Sequence, residues 1–211
     1  MSYYPIFLEL TGRRCVVIGG GVVAERKVDG LLAAGAEITV VSPEISQGLR
    51  LLFTHRSIKY VPRKYQNGDL AGSALAFVAT EEGATTTAVF SEARERGIWV
   101  NCADVPSCCD FILPAVIRRG ELAVAISSGG ASPAATRAIR EELESYLTEE
   151  FAELVQTASE TRTDLRQRSI HARAESWNAA LKGEFRLLLR QGKAAEAKQL
   201  LLAQLEERSC D

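Results

Sequence analysis

Cys15-Val16-Val17-Ile18-Gly19-Gly20-Gly21-Val22-Val23-Ala24 decides how this chain folds: four apolar residues, three glycines, then the first turn of an amphipathic segment. The apolar run reads as a buried strand. The helix expected after it, over residues 22–34, carries Val23, Val28, Leu31 and Leu32 at helical spacing. A strand that feeds a helix through the pattern G-x-G-x-x-A makes a seat for the pyrophosphate of a dinucleotide. Gly19 permits the tight turn, Gly21 lets the backbone approach the phosphates, and the small Ala24 lets the helix pack close to the strand. The free N–H groups at the helix start, at Val22 and Val23, and the positive end of its dipole then face the diphosphate. Glycine turns between strand and helix also serve purely structural ends, and it is the strand-turn-helix context that favours a nucleotide.

Outward from this motif, strands and helices alternate. Glu37–Val41 reads as a strand, 45–53 as a short helix, 58–61 and 75–79 as strands, 85–96 as a helix and Trp99–Cys102 as a strand. This alternation predicts an α/β fold with a Rossmann-like, doubly wound parallel sheet. Its ligands sit at the carboxyl ends of the strands, here Gly19, Ser42, Thr80 and residues 101–104. The pattern then changes. Residues 111–117 and Leu122–Ile126 are strand-like, a Ser-Ser-Gly-Gly turn follows, and a helix runs from Pro133 to about Leu147. Three parts result: a nucleotide-binding domain over 1–113, a smaller α/β segment over 114–147 and a helical subdomain over 148–211, with breaks at Gly183 and Gly192.

Composition narrows the class of function. The 211 residues suffice for one large domain or two modest ones, and 25 Lys plus Arg against 27 Asp plus Glu leave a net charge of -2, which argues against a nucleic-acid partner. Five cysteines, Cys15, Cys102, Cys108, Cys109 and Cys210, form no C-x-x-C pair and give no disulfide framework. Reduced thiols in a cytoplasm are the plain reading. The start shows no charged leader, and no apolar run approaches the roughly 18 residues that span a bilayer, so neither secretion nor a membrane partner is expected.

Two further clusters carry chemistry. Ser127-Ser128-Gly129-Gly130-Ala131-Ser132-Pro133 is a small-residue loop that ends in a serine cap and a proline at the first helical position, a second anion seat or an ordinary capped helix. Arg118, Arg119, Arg137 and Arg140 could bring positive charge there, suiting a ligand with carboxylates. Asn101-Cys102-Ala103-Asp104-Val105-Pro106 sets one carboxylate after a strand and before a proline-stiffened turn. Asp104 is a candidate base, although spacing alone favours an Asx-type turn residue. His55 and His171 lie far apart and give no zinc spacing, so no metal site is expected. Cys108 and Cys109 are read as packing or incidental thiols without a role.

Pro5-Ile6-Phe7, the run Gly19-Gly20-Gly21-x-Val23-Ala24-Glu25-Arg26-Lys27, Asn101-x-x-Asp104-x-Pro106, Phe111-Ile112-x-Pro114 and Ser127-Ser128-Gly129-Gly130-x-Ser132-Pro133 together resemble one family. It is the precorrin-2 dehydrogenase and sirohydrochlorin ferrochelatase family of siroheme synthesis. The resemblance covers at least the first 150 residues in order. It implies NAD-dependent oxidation of precorrin-2 to sirohydrochlorin and, in bifunctional members, insertion of ferrous iron to give siroheme. It also implies a homodimer in which 114–147 forms the interface and shapes the tetrapyrrole cleft. Asp104 matches the family's catalytic aspartate. Ser128 matches a serine of its substrate region, so Ser128, Gly129, Gly130, Ser132 and Arg137 are the expected substrate contacts. The expected cofactor contacts are Gly19, Gly21, Val22, Val23, Ser42, Pro43, Glu44 and Thr80.

Two departures stand out. Ser42-Pro43-Glu44 replaces an acidic residue at the tip of the second strand, so ribose recognition falls to Glu44 or to backbone groups, and no arginine follows directly to favour NADP over NAD. A fused methyltransferase half is not expected after Asp211, so precorrin-2 would come from a separate enzyme. Three alternatives stay open: a dehydrogenase without chelatase activity, a non-catalytic NAD-sensing module, and, with less support, a methyltransferase that uses the glycine turn.

Overall fold

The computed structural model describes residues 3–103 and 105–207 and divides into two compact units, Met1–Ile112 and Leu113–Asp211. In the first unit the order is β1 (Arg14–Ile18), α1 (Val22–Leu32), β2 (Glu37–Val41), α2 (Gln47–Thr54), β3 (Lys59–Val61), β4 (Leu75–Val78), α3 (Gly83–Arg96) and β5 (Trp99–Cys102). All five strands are parallel, in the order β3-β2-β1-β4-β5. The chain winds outward from β1 to one side, then crosses to β4 on the other. The crevice between the ends of β1 and β4 is therefore the topological switch point where ligands of open α/β sheets bind.

Residues 15–18 are buried to the last side chain because both faces of the sheet are covered, and alternation along the strand splits them between two cores. Cys15 and Val17 join Ala24, Val28 and Leu31 of α1 and Leu49 of α2, while Val16 and Ile18 join Val89 and Ala93 of α3. The alternating elements expected from the sequence are all present, with shifted ends. The helix expected over 85–96 starts at Gly83, and that expected over 45–53 starts at Gln47, where the Ser46 hydroxyl accepts the Leu49 N–H at 3.2 Å.

The strand expected over 111–117 is displaced. It forms over Ala115–Arg119, after Pro114, which has no N–H for a ladder. Phe111 instead turns into the first unit and meets Phe77 edge-on, with ring centroids 5.5 Å apart.

The second unit opens with the antiparallel pair β6 (Ala115–Arg119) and β7 (Leu122–Ile126), followed by α4 (Pro133–Tyr146). Within these elements only Ile117 and Thr136 are buried. Arg119 holds the end of α4 by donating to the Leu147 carbonyl at 2.8 Å. Four helices complete the unit: α5 (Glu150–Gln167), α6 (Ala174–Ala180), α7 (Glu184–Arg190) and α8 (Ala194–Glu207). They close on a core of Leu165, Phe185, Leu189, Leu201 and Leu205, and the breaks between α6, α7 and α8 fall at Gly183 and Gly192. Among the described residues no helix is long and apolar enough to cross a membrane.

Candidate functional site

The glycine turn is shaped by what its neighbours leave room for. Gly19 sits at φ +120°, beyond the reach of ordinary side chains, and donates its N–H to the Val41 carbonyl at 3.0 Å. A Cβ at Gly19 would stand 2.2 Å from the Ala79 carbonyl oxygen, and one at Gly20 would stand 1.9 Å from that of Glu44. At Gly21 a Cβ would meet nothing within 4 Å. Gly19 and Gly20 thus let the strand ends and the following loop close up, and Gly21 faces the open side. Gly21 caps α1 without a side-chain bond, and the first helical bond runs from the Glu25 N–H to the Gly21 carbonyl at 3.0 Å. The N–H groups of Val22, Val23 and Ala24 therefore precede the helical ladder, and Val22 and Val23 are exposed. This open, donor-rich turn at a helix start fits a pyrophosphate.

The crevice beyond it is lined by Gly19, Ser42, Pro43 and Thr80, four of the expected cofactor residues, together with Lys64, Tyr65, Glu82 and Thr85. Glu44 follows on the exposed loop, with its carbonyl packed over Gly20. That loop is strapped to the glycine turn. The Ser46 N–H donates to the Gly20 carbonyl at 2.7 Å, and the Ser46 hydroxyl donates to Glu25 in the first turn of α1. A Cβ at Gly48 would meet a Glu25 carboxylate oxygen at 2.1 Å, so any side chain there would push the Glu25 carboxylate aside. Glu25 was visible in the motif as the residue after Ala24, but its partner was not.

Lys64, Tyr65 and Glu82 carried no local signal. Lys64 donates to Glu82 at 2.6 Å and Thr85 donates to the other Glu82 oxygen at 2.9 Å, which together hold the carboxyl below its usual range. Below them lies Glu92, buried and paired with Arg96 at 2.6 Å. Burial works to raise Glu92, but the Tyr65 hydroxyl, the Gly68 N–H at 3.0 Å and Arg96 outweigh it and keep the carboxyl below its ordinary value. Burial and the same contact with Glu92 push the Tyr65 hydroxyl up.

Asp104 lies outside the described residues. The segment around it is pinned from both sides by Cys109, whose sulfur accepts the Cys102 N–H at 3.2 Å and faces the Cys102 carbonyl at 3.2 Å and that of Val105 at 3.5 Å. Asn101 donates to the Phe111 carbonyl at 2.9 Å, and Asp110 accepts the Val100 N–H at 2.9 Å. Cys109, read from the sequence as a packing or incidental thiol, thus bonds to both Cys102 and Val105. Burial drives the Cys102 thiol up to about 12 and the Cys109 thiol upward as well, which disfavours the thiolate at both.

In the second unit the serine-glycine loop is built as the cap of α4. Ser132 accepts the Ala135 N–H at 3.2 Å, with Pro133 in the first turn. The Ser128 hydroxyl accepts the Ser132 N–H at 3.0 Å and contacts the Thr136 hydroxyl at 3.1 Å, so it braces the loop while remaining exposed. Gly129 and Gly130 turn the chain at φ +65° and +87°. Of the four arginines weighed for this seat, Arg119 and Arg140 are already occupied. Arg119 pairs with Glu149 at 3.5 Å and Glu144 at 3.8 Å, and Arg140 pairs with Glu144 and with Glu141 at 3.3 Å. Arg118 and Arg137 are exposed. Among the described residues no group of three His, Cys, Asp or Glu could hold a metal ion.

Residues 6–115 match a family model described as NAD(P)-binding, and residues 119–146 match one described as sirohaem biosynthesis protein central. The solved structure titled SirC, precorrin-2 dehydrogenase, superposes with a TM-score of 0.77 at 30% identity, covering 94% of this chain and 98% of that one. The chain belongs to the precorrin-2 dehydrogenase family. Siroheme synthases share the same stretch: that of Nitrosococcus oceani is 36% identical over 208 residues and that of Photorhabdus laumondii 38% over 209. Each alignment takes in 98% of this chain and 44% of the relative, so the chain spans less than half the length of these siroheme synthases. Within the precorrin-2 dehydrogenase family frame, the crevice between β1 and β4 belongs to the NAD(P)-binding part, and β7 with α4 falls in the sirohaem central segment.

Proposed function

We propose that this chain oxidises precorrin-2 to sirohydrochlorin with NAD as the acceptor. The observation that carries the reading is the open glycine turn at the switch point, in a chain that aligns over nearly its whole length with a precorrin-2 dehydrogenase. Bound NAD supplies a hydride acceptor. The N–H groups of Val22 and Val23 hold its pyrophosphate beside Gly21, and Ser42, Pro43 and Glu44 flank the ribose, where no arginine favours a 2′-phosphate. Asp104 takes the nitrogen-bound proton that leaves as carbon-bound hydrogen departs as hydride. Ser128, Gly129, Gly130, Ser132 and Arg137 receive the acetate and propionate arms of the macrocycle. In a second step, ferrous iron enters sirohydrochlorin as a substrate and the two ring N–H protons that it replaces leave to solvent.

The active form is a homodimer sealed over 114–147. A two-stranded hairpin is marginal alone, and this one leaves Val116 exposed while α4 leaves Ile139 and Tyr146 exposed. The free thiols Cys15, Cys102, Cys108 and Cys109 suit a reducing cytoplasm.

An anaerobic assay of precorrin-2 with NAD, following reduced cofactor and the tetrapyrrole spectrum together, tests the reading. Asp104→Ala should lower oxidation by about a hundredfold or more while NAD affinity changes little. NAD binding without any oxidation by the unaltered protein would instead favour a sensing module. Iron insertion is read separately from sirohydrochlorin and ferrous ion without NAD, where a rate no faster than the uncatalysed one removes that step.

A further inference from the structure

Lys64 brings to the crevice the positive charge that the sequence lacks after β2. It lines the crevice together with Ser42 and Pro43 although it lies 21 positions after Pro43. Its place is fixed from both sides. Arg63 grips Asp69 through two bonds, of 2.7 and 2.6 Å, and donates to the Lys64 carbonyl at 3.0 Å. Tyr65 is anchored on the buried Glu92. A cation so placed beside the end of β2 is what a 2′-phosphate needs, yet its ammonium is committed to Glu82 at 2.6 Å. Glu82 is in turn oriented by Thr85 at 2.9 Å.

The pair adds little to stability, because both side chains are more than half or half exposed, at 70% and 50%. Its effect falls on what enters the crevice. A 2′-phosphate, with a charge of roughly -1.5 to -2, would have to displace Glu82 from Lys64 and lie beside a carboxylate, whereas a ribose hydroxyl meets no such cost.

We propose that the Lys64–Glu82 pair is the device by which this chain excludes NADP and accepts NAD, with Glu82 as the discriminating residue. This rests on the reading that a dinucleotide occupies the crevice. Lys64 is a latent phosphate site, masked by Glu82.

Equilibrium binding of NAD and NADP to the full chain, at low and high salt, tests it without turnover. Glu82→Gln keeps the shape and a partner for Thr85 while releasing Lys64, and should raise the ratio of NADP to NAD affinity about tenfold or more, with the gain shrinking at high salt. Lys64→Gln alone should move the ratio the other way, since Glu82 then stands unpaired. The double variant should fall back near the starting ratio. An unchanged ratio in Glu82→Gln, or an equal rise in the double variant, overturns the role of the pair while leaving NAD binding in place. Failure of the unaltered chain to bind NAD would instead remove the nucleotide reading on which both depend.

Discussion

The two units bury apolar surface to very different degrees around their candidate ligand loops. In the first, the residues flanking the glycine turn are sealed: 15–18 and 75–78 are buried on both faces, and even the charged Glu92 is buried with three partners. In the second, the hairpin and α4 bury one residue each, Ile117 and Thr136. Its helical remainder is closed by Phe185 and Leu201, so the shortfall is confined to the segment carrying the serine-glycine loop. The lesson is that the glycine turn of the NAD(P)-binding part stands on a core sealed within its own unit, whereas the serine-glycine loop stands on a layer with apolar surface left exposed.

Four substitutions probe this contrast. The largest effect is expected inside the sealed unit. Glu92→Ala leaves the Tyr65 hydroxyl and the Gly68 N–H without their acceptor and should cost about 2–4 kcal/mol in denaturant unfolding. The pH dependence has a definite sign. The Glu92 carboxyl is held below its ordinary value, so its contribution is fully present above the unfolded pKa of about 4.3 and is lost as pH falls through the lower folded value. The variant should therefore lose less stability than the unaltered chain on acidification below about pH 4.

A smaller effect separates two adjacent glycines. Gly20→Ala forces a methyl against the Glu44 carbonyl and should cost about 1–3 kcal/mol, along with NAD binding. Gly21→Ala meets open space and should weaken NAD binding while leaving the unfolding transition almost in place, a difference that calorimetry and a binding titration resolve. The smallest change in chain stability is expected on the open layer. Ile139→Asp, at an exposed position, should alter it by no more than about 0.5 kcal/mol and yet convert a dimer to a monomer in sedimentation. A dimer that survives this change would show that the surface is closed by something other than a second copy.

What the sequence disclosed was what is local. Four buried residues, three glycines and a small Ala24 spell out a strand, a turn and a helix because each acts within a few positions of the next, and the serine cap of α4 with its following proline was readable for the same reason. The displaced strand at 111–117 marks where this fails. An apolar run looks alike whether it pairs in a ladder or, as with Phe111, fills a core against Phe77. The ion pair of Lys64 with Glu82, the bond of Tyr65 to Glu92 and the strap from Ser46 to Gly20 join residues 18, 27 and 26 positions apart, with nothing in the intervening sequence to announce them. The arginines show the same limit. Four lie near the loop in sequence, and nothing local told that Glu144 and its neighbours hold Arg119 and Arg140 while Arg118 and Arg137 stay exposed.

The loop from Ser42 to Ser46 is moored at both ends by main-chain bonds, from the Ser42 N–H to the Val61 carbonyl at 3.2 Å and from the Ser46 N–H to the Gly20 carbonyl at 2.7 Å. Backbone moorings are indifferent to side-chain identity. The side chains of Pro43 and Glu44 are therefore not what holds this loop against the glycine turn, and the rim of the crevice is a replaceable fitting on a fixed frame.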